Sequence, residues 1–109
     1  MKSIVVQDRF FDYCMICGSP NIEIHHCIEG TANRRLSDED KLVIPLCKKH
    51  HNEQGISAHY SKEVGTLIHI IAQLAWEKKA IIDRYELPFE DINEDVREQF
   101  RRRYGKSYL

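Results

Sequence analysis

The chain has 109 residues, 30% of them charged, and a formal net charge of −1 with neutral histidines. This length suits one domain with a small hydrophobic core, a size at which a bound metal or disulfides often add stability. The nearly balanced charge argues against a protein that coats nucleic acid nonspecifically, although it allows a local basic patch.

The N-terminus shows no secretory signal, because only a short apolar run at residues 4–6 follows Met1 and Lys2. No apolar stretch approaches the about 20 residues of a membrane-spanning helix. We therefore expect a cytoplasmic protein that does not bind membranes. In that compartment a Cys-x-x-Cys pair holds a metal more often than it forms a disulfide.

The first predicted elements in chain order are a short strand and a turn that carries two thiols. Residues 4–6 predict the strand, and the aromatic residues that follow should pack against the rest of the chain. Cys14 and Cys17 then form a knuckle, because Gly18 and Pro20 turn the chain directly after them.

A β-hairpin is predicted next. Apolar residues at alternate positions indicate its first strand at residues 22–26, and residues 42–46 indicate its second. Pro45 requires an edge or strand-end position for the second strand, because proline donates no backbone hydrogen bond. The residues between the strands, 29–40, predict a polar loop that contains two adjacent arginines.

Three helices are predicted after the hairpin. Residues 47–54 should form a short helix that ends at Gly55. Ser61 is a suitable N-cap for a long helix at residues 62–82. A last amphipathic helix is predicted at residues 89–104, where apolar residues recur at four-residue steps.

The long helix has an apolar stripe at helical spacing that we expect to face the core. His69 and Trp76 lie off this stripe, together on another face. The pattern as a whole predicts an α+β fold, with a core at residues 1–60 and a helical extension at residues 61–109 packed on it as one domain. The stripe consists of Val64, Leu67, Ile68, Ile71, Leu74, Ala75 and Ile82.

Two half-sites of equal spacing bracket the hairpin and predict a structural zinc site. Cys14 and Cys17 form one half, and Cys47 and His50 form the other. Together they make a Cys3His set, which binds structural zinc tetrahedrally. The alternatives are buried cysteines without a metal, or a redox-active Cys-x-x-Cys. Cys27 is outside these half-sites and is interpreted as a small core residue.

The remaining histidines of the two adjacent pairs predict a second metal site. If His50 binds zinc, His51 projects about 100° away around the helix and faces the hairpin. It can then share an ion with His25, while His26 points to the opposite face of the strand and stays unbound. His59 is either a third ligand or an incidental loop residue.

Such a site leaves coordination positions open for water and phosphate, as metal-assisted hydrolysis requires. An unbound imidazole titrates near neutrality and can accept a proton from water, which makes His26 the candidate general base. The alternative is that these histidines are surface or core residues. Either His50 or His51 could also belong to the zinc site.

The motif Cys14-x-x-Cys17, His25-His26 and Cys47-x-x-His50-His51 resembles the HNH endonuclease family. The resemblance covers residues 14–59. It implies a ββα-metal finger, also called a His-Me finger, in which two strands and a helix surround one catalytic divalent cation. Many members of that family also carry a zinc-binding knuckle pair at the base of the hairpin.

The resemblance also implies roles for the histidines. His25 and His51 correspond to metal ligands, His26 to the general base, and His59 to a later family histidine. The activity implied is hydrolysis of DNA phosphodiester bonds to leave a 5′ phosphate, with RNA left open as a substrate. In this scheme His26 activates water, and Mg, Mn or Zn stabilises the leaving oxygen.

The sequence departs from the family pattern at two places. A histidine, His50, stands where the second knuckle more commonly has a cysteine. The middle asparagine of the family, which usually opens the second strand, is absent at residues 40–42. Lys41 or a backbone carbonyl is expected to take over its positioning role for His26.

Two arginine clusters are candidate phosphate contacts, because guanidinium groups bind phosphate in a bidentate manner. The alternative is that they belong to solvated helix faces. The C-terminal residues resemble, more weakly, the tails of small phage-encoded HNH proteins, some of which resemble recombination-enhancement nucleases. That resemblance implies a recombination protein as partner. The clusters consist of Arg34 and Arg35 in the first case, and of Arg97, Arg101, Arg102, Arg103 and Lys106 in the second.

Two other classes of function remain compatible with the sequence. One is a zinc-stabilised nucleic-acid-binding module without catalysis, in which only the Cys3His residues bind metal. The other is an adaptor that binds a partner protein through the long helix, on the face that carries His69 and Trp76. The sequence makes no prediction of the oligomeric state.

Overall fold

The computed structural model describes residues 1–53, 55–84 and 95–109. It has the predicted α+β architecture, in which helices surround one antiparallel hairpin. Among the described residues, no helix is both long and apolar enough to cross a bilayer. The elements are a 3₁₀ helix at Asp8–Phe10, strands β1 (Ile22–His26) and β2 (Val43–Cys47), and helices α1 (Thr31–Glu39), α2 (Lys48–Asn52), α3 (Lys62–Arg84) and α4 (Val96–Tyr104).

The hairpin confirms the prediction for β1, and β2 begins one residue later than predicted. Ile22 pairs with Cys47 and His26 pairs with Val43, so the two half-sites and the histidine pair lie at opposite ends of the ladder. Pro45 sits inside β2, where its carbonyl accepts a hydrogen bond of 2.9 Å from the backbone N–H of Met15. This bond fixes the first knuckle against the second strand.

The predicted strand at residues 4–6 is wrong, because the described structure has bends there. Ser3 is buried, and its hydroxyl donates to the carbonyl of Val43 and accepts from the backbone N–H groups of Val5 and Val6. A serine that satisfies neighbouring N–H groups in this way competes with strand pairing. The segment still packs against the core through its aliphatic side chains.

The predicted polar loop at residues 29–40 is also wrong, since most of it forms helix α1. Gly30 precedes the helix with φ 98° and no side chain caps it, so the usual start signal is missing. Ser37 is fully buried, and its hydroxyl accepts from the N–H of Ile28 and donates to the Ile28 carbonyl. The short polar sequence gave too little helical periodicity to predict this packing.

Helices α2 and α4 occur in the predicted order, and the ranges that the structure describes for them are shorter than the predicted ones. Helix α2 is shorter than the predicted 47–54, and Gln54 lies outside the described residues. The predicted start of the last helix at residues 89–94 also lies outside them. Within the described part, Asp95 caps α4 by accepting from the N–H of Arg97, and Gly105 ends it with φ 91°.

Helix α3 begins as predicted, since the Ser61 hydroxyl accepts a hydrogen bond from the N–H of Val64. The predicted core stripe is only partly correct. Ile68 is buried, but Leu67, Leu74 and Ile82 are 58%, 50% and 54% exposed. Amphipathic spacing alone could not show which of two apolar faces the core would cover.

The face of α3 that does pack is the one predicted to lie off the stripe. Trp76 meets Phe100 of α4 edge to face, with ring centroids 5.5 Å apart. His69 stacks on Tyr108 at 4.4 Å. These contacts bury the face that the adaptor interpretation required, so that face contacts the C-terminal residues of the same chain.

Asp40 joins α1, α3 and α4 at one point. Its carboxylate accepts from the indole N–H of Trp76, the hydroxyl of Tyr104 and the guanidinium of Arg103. Burial and this carboxylate raise the pKa of Tyr104. The tyrosine therefore remains a donor across the physiological pH range.

Asp40→Ala is expected to lower the free energy of unfolding by about 2–4 kcal/mol. It leaves the indole N–H of Trp76 unpaired, removes the nearer of the two acceptors of the Tyr104 hydroxyl and breaks a bidentate ion pair. Urea denaturation of the zinc-loaded protein measures this loss. Asp83→Ala is the matched control, since its one pair with a described residue is an exposed one with Lys79, and it should cost about 0.5 kcal/mol or less. Equal losses in the two variants would contradict the role of Asp40.

Candidate active site and metal centres

The two predicted half-sites converge at the base of the hairpin. The ligand atoms of Cys14, Cys17, Cys47 and His50 all lie within 4.8 Å of one another. The Sγ atoms of Cys17 and Cys47 are 3.7 Å apart, and Cys47 Sγ is 3.2 Å from His50 Nδ1. Zn–S bonds of about 2.3 Å in a tetrahedron place two sulfurs about 3.8 Å apart. The cluster therefore has the chemistry and the size to hold a zinc ion.

The thiols differ in how easily they ionise. Burial opposes ionisation of Cys14, but backbone hydrogen bonds from Cys47, Cys17 and Ile16 outweigh it and lower the pKa of this thiol to about 6. A thiolate is the form that binds zinc. Burial raises the pKa of Cys27 to about 12, which agrees with its interpretation as a core residue.

Three histidines form a second cluster, separate from the cysteines. His25 lies on β1, His51 on α2 and His59 on the loop that follows α2. One ring nitrogen from each lies within 4.8 Å of the others, and the Nε2 atoms of His51 and His59 are 3.0 Å apart. Backbone bonds from Ala58 to His50 and from His59 to His51 fold the loop onto α2. This fold brings His59 to the cluster.

A carboxylate that the sequence analysis missed holds His51 in place. Glu23 Oε1 lies 3.0 Å from Nδ1 of His51 and accepts from the amide of Asn52 at 3.3 Å. A carboxylate on one ring nitrogen directs the other towards a metal and raises its basicity. Residue 23 precedes the histidine pair by two positions on β1, so the strand period could have indicated that it shares a face with His25.

His25 is the buried member of the cluster, with 2% of its surface exposed. Burial, together with the neighbouring imidazoles of His59 and His51, lowers its pKa to about 3. Its ring is therefore neutral at physiological pH, the form that binds metals. Its Nδ1 is buried without a hydrogen-bond partner. Three imidazoles around a common point fit a divalent cation of the transition series or zinc.

His26 is outside this cluster but lines the same cavity. Its Nε2 lies 3.4 Å from Oδ1 of Asp38, a residue of α1. The cavity has a volume of about 500 Å³. Its described lining includes neither Lys41 nor an asparagine. Asp38 is a polar side chain beside His26. It lies near the end of α1, in the segment that was predicted to be a loop. The cavity is lined by Ile24, His25, His26, Glu29, Gly30, Thr31, Arg34, His51 and His59.

The arginines predicted to contact phosphate have different surroundings. Arg34 lines the cavity and makes no ion pair with a described residue. Arg35 pairs with Glu39 at 2.9 Å, and Arg101 pairs with Glu98. Their proposed phosphate contacts remain predictions.

At the C-terminus, two further arginines were predicted to contact phosphate. Arg103 is held by Asp40 and Glu39. Arg102 lies exposed on α4. Phosphate contact by these two residues also remains a prediction, and for Arg103 it would require the pair with Asp40 to open.

The hairpin, the short helix α2 and the histidine cluster beside a Cys3His set define a zinc-knuckle ββα-metal finger. Residues 4–77 match the family described as "Putative HNHc nuclease". Because this match covers more than half of the chain, the protein belongs to that HNH nuclease family. The matched range contains the whole predicted motif and continues into α3.

One curated relative is similar over part of the chain. It is "Uncharacterized protein YdfU" of Escherichia coli (strain K12), which is 44% identical over 41 residues. The aligned stretch covers 37% of this chain and 12% of that protein, so the relative is much longer than the shared region. No solved structure matches the chain significantly.

Proposed function

We propose that this protein is a metal-dependent endonuclease that hydrolyses phosphodiester bonds in DNA. The observation that carries the proposal is the arrangement of the two adjacent histidines of β1. His25 belongs to a three-histidine cluster, while His26 lines the same cavity without belonging to it. The candidate base and the candidate metal site are therefore adjacent, but they use the imidazole rings of two different histidines.

In this proposal His25, His51 and His59 hold the divalent cation. Of the expected ions Mg, Mn and Zn, a set of three imidazole ligands favours Zn or Mn over Mg. When bound, the cation acts as a Lewis acid that stabilises negative charge on the phosphate and the leaving oxygen. The residues Cys14, Cys17, Cys47 and His50 hold a structural zinc. A His-only set for the first ion and a thiolate-rich set for the second make it possible to load the two sites with different metals.

His26 is the proposed general base. It accepts a proton from the water that attacks phosphorus in line with the leaving 3′ oxygen. The carboxylate of Asp38, 3.4 Å from its Nε2, stabilises the imidazolium that forms. The role that the missing asparagine has in the family pattern is thereby assigned to Asp38, not to Lys41.

Arg34 is proposed to bind a phosphate next to the scissile bond, because its guanidinium borders the cavity without an ion-pair partner among the described residues. Contacts by Arg35, Arg101, Arg102 and Arg103 along the duplex are proposed to be weaker. Carboxylates already hold Arg35, Arg101 and Arg103. The products are a 3′ hydroxyl and a 5′ phosphate.

A plasmid-nicking assay tests this function. The zinc-loaded protein should convert supercoiled DNA to the open circle with Mg, Mn or added Zn, and chelation of the added ion should stop the reaction. A fluorescent RNA strand in parallel tests whether RNA is also cleaved. A folded, zinc-loaded protein that binds DNA without cutting it under any of these conditions would favour the non-catalytic module instead.

His51→Ala is expected to weaken binding of the exchangeable cation by about tenfold to a hundredfold, as loss of a ligand or its support does. The structural zinc should stay at one equivalent, since His51 is outside the Cys3His cluster. Calorimetric titration with Mn and metal analysis after dialysis measure the two quantities. His69→Ala is the control, and an equal loss of Mn binding there would contradict the assignment.

The association with phage and recombination proteins, and a cytoplasmic location, remain predictions from the sequence. The first of these rests on the likeness of the C-terminal residues. The proposed nuclease chemistry does not depend on such a partner, because it is assigned to residues of this chain alone.

A further inference from the structure

The outward face of α3 is apolar. Leu67, Leu74 and Ile81 are 58%, 50% and 45% exposed, and they recur at seven-residue steps. Ile71 lies between the first two on the same side of the helix. This face is opposite the one that packs against α4. Leucine and isoleucine exposed together in a row are typical of a protein–protein interface.

The spacing of the apolar residues on this face indicates that its partner is another helix. Steps of four and three residues alternate from Leu67 through Ile71, Leu74 and Lys78 to Ile81. This is the a and d pattern by which two helices pack as a coiled coil. With 23 residues, α3 is about 34 Å long. This length is enough for about three layers of side chains packed between two helices.

The charges on this face favour a copy of the same helix in the opposite direction. Two charged residues lie on this side of the helix: Glu63, one turn before the apolar row, and Lys78, within its second half. A parallel pair would place Lys78 against its own counterpart. An antiparallel pair with Ile71 opposite Leu74 instead brings Glu63 of one copy within about one turn of Lys78 of the other. The face is therefore complementary to itself only in the antiparallel arrangement.

We propose that this face, formed by Leu67, Ile71, Leu74, Lys78 and Ile81, is the interface of a homodimer in which two α3 helices pack antiparallel. A twofold axis relates the copies, so each contact occurs twice. The inference does not depend on the proposed nuclease activity. If both proposals hold, the dimer carries two cavities and can cut both strands of a duplex in one encounter.

Sedimentation equilibrium of the zinc-loaded full chain at about 100 µM tests the dimer. The expected mass is twice the 12.9 kDa of one chain. Leu74→Asp should reduce it to that of one chain while far-ultraviolet circular dichroism and zinc content stay unchanged. Leu109→Asp makes the same chemical change at an exposed leucine outside this face and should leave the dimer intact.

A charge exchange keeps the proposal testable if Leu74→Asp does not fold. Lys78→Glu should weaken association about tenfold, and adding Glu63→Lys should restore it, because the pair is re-formed with its signs reversed. A wild-type mass of one chain at every concentration would overturn the proposal. A Leu74→Asp protein that remains a dimer would also overturn it. Nicking by a monomeric Leu74→Asp protein would leave the proposed function intact.

Discussion

His26→Ala is expected to reduce metal-dependent nicking of supercoiled DNA by about a hundredfold or more, because it removes the group proposed to take the proton from the attacking water. Binding of the exchangeable cation should change little, since His26 is outside the three-histidine cluster. If His26 is the base, the variant should therefore lose its nicking rate but still bind the exchangeable cation. The rates are compared at saturating Mn, with DNA affinity measured separately.

His69→Gln is the matched control for this experiment. It also replaces a partly buried histidine, but one outside the three-histidine cluster, whose ring lies against Tyr108 and 3.9 Å from Glu29. Its nicking rate should stay within about threefold of the parent, because the change removes neither a proposed ligand nor the proposed base. If His26→Ala cuts as fast as this control, another group accepts the proton and the assignment fails.

Cys17→Ala should cause the largest loss of stability of any single change considered. Structural zinc contributes on the order of 10 kcal/mol to small zinc domains, while a whole domain is stable by only about 5–15 kcal/mol. Cys17 is an exposed member of the Cys3His cluster, so its replacement removes a ligand without leaving a large core cavity. The variant should lose its zinc and the hairpin should unfold.

Cys27→Ala separates the effect of zinc from the effect of losing a thiol. Cys27 is 1% exposed and lies outside the cluster. This variant should keep one zinc per chain and lose only about 1–2 kcal/mol from the small cavity. Zinc content by mass spectrometry and thermal unfolding give the comparison. A Cys17→Ala protein that folds as stably as Cys27→Ala would show that zinc binding at the Cys3His cluster does not stabilise the fold.

The ligand residues could be predicted from the sequence because metal sites impose short-range spacing rules. Two pairs separated by two residues identify Cys14, Cys17, Cys47 and His50 without knowledge of the fold. The alternation of side chains along a strand separates His25 from His26. Each of these rules acts over a few residues, and the structure brings the same residues together.

The residues that support the site could not be predicted in the same way. Asp38 lies near His26 only because residues 31–39 form a helix, and a glycine without a cap gave no signal for its start. Glu23 holds His51 across 28 positions in sequence. The choice between the two apolar faces of α3 depended on α4, whose aromatic residues pack on the face of Trp76. Such long-range packing is not encoded in local periodicity.

An anomalous diffraction experiment on crystals loaded with Zn and then Mn tests the central claim most directly. The account predicts zinc among Cys14, Cys17, Cys47 and His50, and manganese bound to His25 and His51 together with His59. The ring of His26 should line the cavity beside the manganese without binding it. A manganese ion bound by His26, or none at the three-histidine cluster, would contradict the account.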